Sequence, residues 1–169
     1  MGEVVLAAAV LGLLAGLLWY GFAPEIQGDV TASGVSIPNA EARRQFGMDG
    51  WFAVIAAGGG LLLGVIFFAR HRSRPATALA LLTIGGLAAA TVQWWFGRFL
   101  GPGPVDGSAG LPAGTAISMP LELHASAALL VWPIAAVVGA LLVAALHDDR
   151  EPWSARLSRR GRSEPSSPP

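Results

Sequence analysis

Residues 51–69 read WFAVIAAGGGLLLGVIFFA and residues 76–96 read ATALALLTIGGLAAATVQWWF, with only Arg70-His71-Arg72-Ser73-Arg74-Pro75 between them. Neither run holds a Lys, Arg, Asp or Glu. A helix rises about 1.5 Å per residue, so about 20 apolar residues cross a hydrocarbon layer roughly 30 Å thick. Two such runs joined by a short arginine-rich turn read as a transmembrane hairpin. Working outward, Val4–Ala23 and Ala125–Leu146 are two further runs without a charged residue. The expected fold is therefore an all-α membrane protein with transmembrane helices over residues 4–23, 51–69, 76–96 and 125–146. Residues 1–147, with loops 24–50 and 97–124, form one membrane domain, and residues 148–169 a disordered basic tail.

Composition narrows the chemistry. Of 169 residues, 53% are apolar and formal net charge is zero. All eleven basic residues are Arg, and there is no Cys, which removes disulfides, thiolate catalysis and Cys-ligated metals. The first run is read as a retained helix: Met1-Gly2-Glu3 supplies no basic flank, and Pro24 follows the small-residue site Gly21-Phe22-Ala23 directly.

Arginine sets the expected orientation. Arg70, Arg72 and Arg74 in the short loop and Arg150, Arg156, Arg159, Arg160 and Arg162 in the tail fall on one side of four spans; Arg43, Arg44 and Arg98 fall on the other. The positive-inside rule places the richer side in the cytoplasm of the cell (inner or plasma) membrane, with both termini cytoplasmic and both long loops outside. Trp19, Tyr20, Phe22, Trp51, Phe52, Trp94, Trp95 and Phe96 then sit at the outer interface, where amphipathic rings collect. Asp49 is placed to cap the second span and Ser73 the third, with Pro75 in its first turn.

Lipid removes the hydrophobic drive between spans, so small residues must let backbones approach. Ala8, Gly12 and Gly16 form such a stripe on the first span, Gly60 and Gly64 on the second, Gly86 and Ala90 on the third, and Ala135/Gly139 or Ala136/Ala140 on the fourth. Gly12, Gly16, Gly60 and Gly64 are the helix-packing candidates, within the monomer or against a partner; abundance of Ala and Gly is the plainer source of such spacing. Pro133 removes the hydrogen bond to the Leu129 carbonyl and is expected to kink the fourth helix.

The loops are patterned. Ile26, Gly28, Val30 and Ala32 alternate with more polar residues, Ser33-Gly34 marks a turn, and Val35 and Ile37 resume the alternation, as a hairpin would. A helical turn or two is expected from Asn39 to a stop at Gly47. Residues 115–123 alternate again, and Pro120 would hold that strand at the edge of a small outer β cap. Each half of the chain runs helix, aromatic end, long loop, helix, arginine end, which fits two parallel hairpins about an axis normal to the membrane.

The polar residues at membrane depth are few, Thr83, Thr91, Gln93 and Ser126, and none of these titrates. The titratable groups that can converge are Asp49, Arg98, Glu122 and His124 at the outer ends of the helices. Glu122 and His124 share one face of the expected strand and can address one ligand or metal. The plainer reading is a salt-bridge set, Arg98 with Asp49 or Glu122, closing the bundle. One His among scattered carboxylates is too sparse for zinc, which draws three or four protein ligands. No nucleophile elbow, phosphate loop or dinucleotide fingerprint occurs, so no catalytic residue, metal or cofactor is assigned, and nucleic acid is not an expected partner.

The Ala23-Pro24 exit, the Asp49-Gly50-Trp51-Phe52-Ala53 entry, Arg98-Phe99-Leu100-Gly101-Pro102, and Pro120-Leu121 leading to Leu130-Val131-Trp132-Pro133 resemble an uncharacterised family of small actinobacterial integral-membrane proteins carrying a domain-of-unknown-function label. The resemblance spans Val4–Leu146 and implies fold and membrane location, with no activity to carry over. The expected role is a non-enzymatic accessory or scaffold of an envelope assembly, partnered by the bilayer and by other membrane proteins or a second copy. The rivals are a homo-oligomeric permease subunit, needing a polar cavity around Gln93, Thr91 and Pro133, and a membrane enzyme using Glu122 and His124.

Overall fold

The computed structural model describes residues 2–31, 34–36, 39–71, 74–103 and 111–148. Its helices are α1 (Gly2–Phe22), α2 (Asn39–Arg70), α3 (Pro75–Leu100) and α4 (Val131–Asp148), the last entered through a 3-10 segment, Ser126–Leu130. The stretches Gly2–Phe22, Arg43–Arg70, Pro75–Leu100 and Ser126–Leu146 are each long and apolar enough to cross a bilayer. Large apolar side chains point away from the bundle on all of them: Leu6 and Leu14, Val54 and Ile66, Ile84 and Leu87, Ile134 and Leu141. The buried positions are mostly small, among them Ala8, Ala15, Ala78, Ala89, Ala90, Ala136 and Ala140. Large outside and small inside suits helices that gain from close backbone contact.

The small residues work in two pairs of helices. A Cβ on Gly12 would lie 2.8 Å from the Ala89 carbonyl, and one on Gly16 2.9 Å from the Gln93 carbonyl, so α1 and α3 pack backbone to backbone. A Cβ on Gly60 would lie 2.5 Å from the Trp132 carbonyl, one on Gly64 would strike that of Ala136, and one on Gly139 would lie 2.7 Å from that of Leu61. This is the α2–α4 contact. Contacts advance along both members of each pair in the same direction, so both pairs are parallel. Around the bundle the order is α1, α3, α4, α2. A two-fold axis exchanging α1 with α3 and α2 with α4 would set each pair across the axis, and four helices cannot hold both diagonals at contact distance. The halves of the chain are therefore not related by the expected symmetry.

Two boundaries depart from the reading of the sequence. The turn from Asn39 does not stop at Gly47 but runs straight into the second span as α2. A glycine inside a helix costs about 1 kcal/mol without ending it, and here Gly47 lies against Pro24, whose ring would be 3.3 Å from a Cβ. Asp49 is consequently inside α2 and cannot cap it. The fourth span is α-helical only from Val131, so Pro133, expected to kink the interior of a helix, is the third residue of α4. With no N–H for the Leu129 carbonyl, α geometry starts only at Val131, and the tighter 3-10 pattern, with the Ala128 amide on the Ala125 carbonyl at 2.9 Å, occupies the turn before it. Pro75 begins α3 as expected, while Ser73 lies outside the described residues. So does the tail from residue 149 on.

At the end where α1 and α3 finish lies a three-stranded antiparallel sheet of order β2-β1-β3, made of β1 (Gln27–Thr31), β2 (Gly34–Ser36) and β3 (Ala116–Ser118). The β1–β2 register pairs Thr31 with Gly34 and Val30 with Val35, so the hairpin forms but Gly34 is the first residue of β2 and not part of the turn that Ser33-Gly34 was expected to mark. Gly28 and Val30 are the buried face of β1. β3 is an edge strand and stops before Pro120, shorter than the alternation over 115–123 suggested, because Pro120 has no N–H to continue a ladder. Gly114, at φ +89°, makes the turn that starts the pairing, its amide donating to the Val30 carbonyl at 2.8 Å. Ile26, Met48 and Leu121 join this cap to the helical core.

Candidate functional site

The cap end collects the four singled-out polar residues and sorts them into two unlike arrangements. Asp49 projects from the second turn-pair of α2, and its carboxyl oxygens accept the backbone amides of His124 at 3.0 Å and Ala125 at 2.9 Å. Ala125 is the N-cap of the 3-10 segment that leads into α4, and His124 is the residue before it, so Asp49 anchors the chain where that segment begins. Asp49 is thus a cap, as its residue type suggested, but of the α4 entry, 75 residues away in the chain. Its negative charge also suits the positive end of that helix.

Arg98, in the last turn of α3, meets Glu122 at 3.6 Å, both side chains about half exposed. Of the two partners expected for Arg98, Glu122 is the one found and Asp49 is engaged elsewhere. A half-exposed pair of this kind contributes about 0–1 kcal/mol. Glu122 and His124 do not share a strand face, since the ladder ends at Ser118. The His124 side chain is exposed, and among the described residues no group of three His, Asp or Glu is placed to hold a metal ion. Both arrangements pin the segment 121–125 to the helix ends, one through its backbone and one through a side chain.

Beneath the cap lies a layer that the sequence did not mark as one. Trp19, Phe52, Gln93 and Trp132, one from each helix, are all fully buried. The Trp132 indole N–H donates to Gln93 Oε1, and Gln93 Nε2 donates to the Phe52 carbonyl at 3.3 Å. The Trp19 indole N–H donates to the Met48 carbonyl at 2.9 Å, and its ring meets that of Phe52 edge-on, with centroids 5.1 Å apart. A buried amide or indole without a partner costs about 1–3 kcal/mol. Here each polar edge finds one, and the bonds cross between helices.

This layer corrects the interfacial assignment of two aromatics. Trp19 and Phe52 belong to the core, while Tyr20, Phe22, Trp51 and Trp95 are exposed, Phe22 stacked on Trp51 at 5.2 Å. Trp19 is drawn inward because Gly97 of α3 offers no side chain and the ring covers it. Gln93 was visible as the one long polar side chain in the spans; its indole partner was not, because Trp132 is 39 residues away. Thr91 turns outward and returns its hydroxyl to the Leu87 carbonyl at 2.9 Å, and Pro133 packs on Gly86. Gln93, Thr91 and Pro133 therefore line no common space.

What this end can do chemically follows from its groups. It offers no nucleophile beside a base and no ligand set for a metal among the described residues, and its polar groups tie secondary structure together. Comparison of the chain with protein-family models, with curated proteins and with solved structures returns no match.

Proposed function

We propose that this chain is a multi-pass protein of the cell membrane, with both termini cytoplasmic, and that it serves as a non-enzymatic accessory or scaffold component of an envelope assembly. The observation that carries the reading is the closed polar layer. Gln93, the buried polar side chain of the described core, spends its amide on Trp132 and Phe52. A transport path needs polar groups held open to a passing solute, and a filled, satisfied centre bears against the permease reading. A tied-down cap on a small-residue bundle suits a part that holds position and presents a surface. The outward apolar side chains of all four helices support lipid as their surroundings, and the arginine asymmetry supports the orientation. Membership of the small actinobacterial membrane family that the chain resembles belongs to the same proposal and bears on fold and location alone.

Native mass spectrometry of the protein released from its own membranes, without overexpression, tests the role. The expected result is a stable mass well above the 17.4 kDa of one chain, made up with other polypeptides. A lone chain or a pure homo-oligomer would overturn the accessory reading.

A further inference from the structure

Where the cap meets the bundle, the structure holds a cleft of about 300 Å³ between the ends of α1 and α3 and the start of the sheet. Its walls include Tyr20, Pro24, Glu25, Met48, Pro102 and Met119. None of its lining residues is an Arg or a His, and the chain has no Lys. Glu25 is its one acidic side chain, exposed, and among the described residues it has no ion-pair partner. Arg44 approaches the backbone carbonyl of Glu25 at 3.4 Å without lining the cleft.

The backbone adds charge of the same sign. α1 and α3 are parallel neighbours, so both end here, and the C-terminal end of a helix carries roughly half a negative charge in its unpaired carbonyls. Each end is short of one further donor for a covalent reason. In an α-helix the Tyr20 carbonyl would accept from residue 24 and the Arg98 carbonyl from residue 102, and both of those residues are proline, without an N–H. The neighbouring carbonyls are served: the Ala23 amide donates to Trp19 at 2.8 Å and the Gly101 amide to Gly97 at 3.1 Å. The rest of the wall is soft and weakly polar, with two thioethers, two prolines and the phenol of Tyr20. Rings of this kind attract cations over their faces, and thioethers adapt to varied apolar shapes.

We propose that this cleft is a binding site for a small organic cation, an alkylammonium with an apolar body, held by Glu25, the two proline-starved helix ends and the Tyr20 ring. A bare inorganic cation fits poorly, since one carboxyl group and half-apolar walls cannot replace its water shell. The volume equals that of on the order of ten waters, which suits a headgroup-sized molecule. This site is independent of the accessory role, and it would make the cap an element that senses as well as presents.

The chain has three methionines, and two of them, Met48 and Met119, line the cleft. Protein labelled with ¹³C at the methionine methyls, in lipid nanodiscs, therefore reports directly. Choline, added as its chloride, is expected to shift the Met48 and Met119 signals saturably. The uncharged analogue 3,3-dimethylbutan-1-ol at the same concentrations is expected to move neither. Glu25→Gln should weaken the choline titration about tenfold, a loss of about 1.4 kcal/mol, whereas Asp29→Asn, which removes a cap charge outside the cleft, should leave it unchanged. Equal shifts with the uncharged analogue, no saturable shift with choline, or equal weakening by both variants would overturn the proposal. The comparison of charged and uncharged ligands uses the unaltered chain, so it decides even where a variant fails to fold.

Discussion

At the scale of single residues, glycines of one uncharged apolar run differ sharply in the fold. Gly58 and Gly64 both stand inside the second apolar run. A Cβ on Gly58 would meet nothing within 4 Å, whereas one on Gly64 would collide with the backbone carbonyl of Ala136. A carbonyl in a packed helix cannot move aside as a flexible side chain can, so α2 and α4 would have to separate. Gly64→Ala is accordingly expected to destabilise the fold by about 1–3 kcal/mol, the usual cost of overpacking. Gly58→Ala should be neutral or stabilising by up to about 1 kcal/mol, from helix propensity. Reversible unfolding in mixed detergent micelles measures both, and equal effects at the two positions would refute the α2–α4 register. Gln93 teaches the same lesson in polar chemistry: its amide is read from the chain, but its meaning as a satisfied internal tie comes from Trp132 and Phe52.

At the scale of elements, the α4 entry depends on a residue of another helix. The two amides just before its 3-10 segment, those of His124 and Ala125, turn to Asp49 of α2, and Pro133 keeps the turn before Val131 in 3-10 form. Removing a capping side chain costs about 0.5–2 kcal/mol. Asp49→Ala should lose about 1 kcal/mol and should speed amide hydrogen exchange at His124 and Ala125 selectively, leaving the interior of α4 protected. Exchange unchanged at those two amides would show that water or other groups serve them equally well. The elements themselves were largely legible. Four uncharged runs of helical length and the β1–β2 alternation announced themselves because their signals are local. The long reach of α2 back to Asn39 was masked by Gly47, a residue that reads as a stop and is tolerated here within a continuous helix.

At the scale of the whole molecule, the bundle couples parallel rather than sequential helices most closely, α1 with α3 and α2 with α4. The hairpin connections are therefore looser seams than the glycine-lined ones, and the cap bridges both sides through Ile26, Met48 and Leu121. The proposed orientation has a direct test, helped by the absence of native cysteine. Gln27→Cys, on an exposed position of β1, should react with a membrane-impermeant maleimide on intact cells. Arg74→Cys, in the arginine-rich turn, should react only after the membrane is opened. The reverse pattern would invert the proposed topology.

The sequence by itself determined the number of helices long and apolar enough to span a bilayer, the hairpin of the cap and the asymmetric placement of arginine. These depend on composition and periodicity over neighbouring residues, which the chain carries locally. Only the tertiary structure decided which helices adjoin, that Asp49 holds the start of the 3-10 segment before α4 and does not cap its own helix, that Arg98 meets Glu122, and that Trp19 is core while Trp51 is exposed. Those outcomes rest on close contacts between residues tens of positions apart, where a missing side chain on one helix makes room for a ring or a carbonyl of another. No local pattern encodes which two surfaces will be brought together.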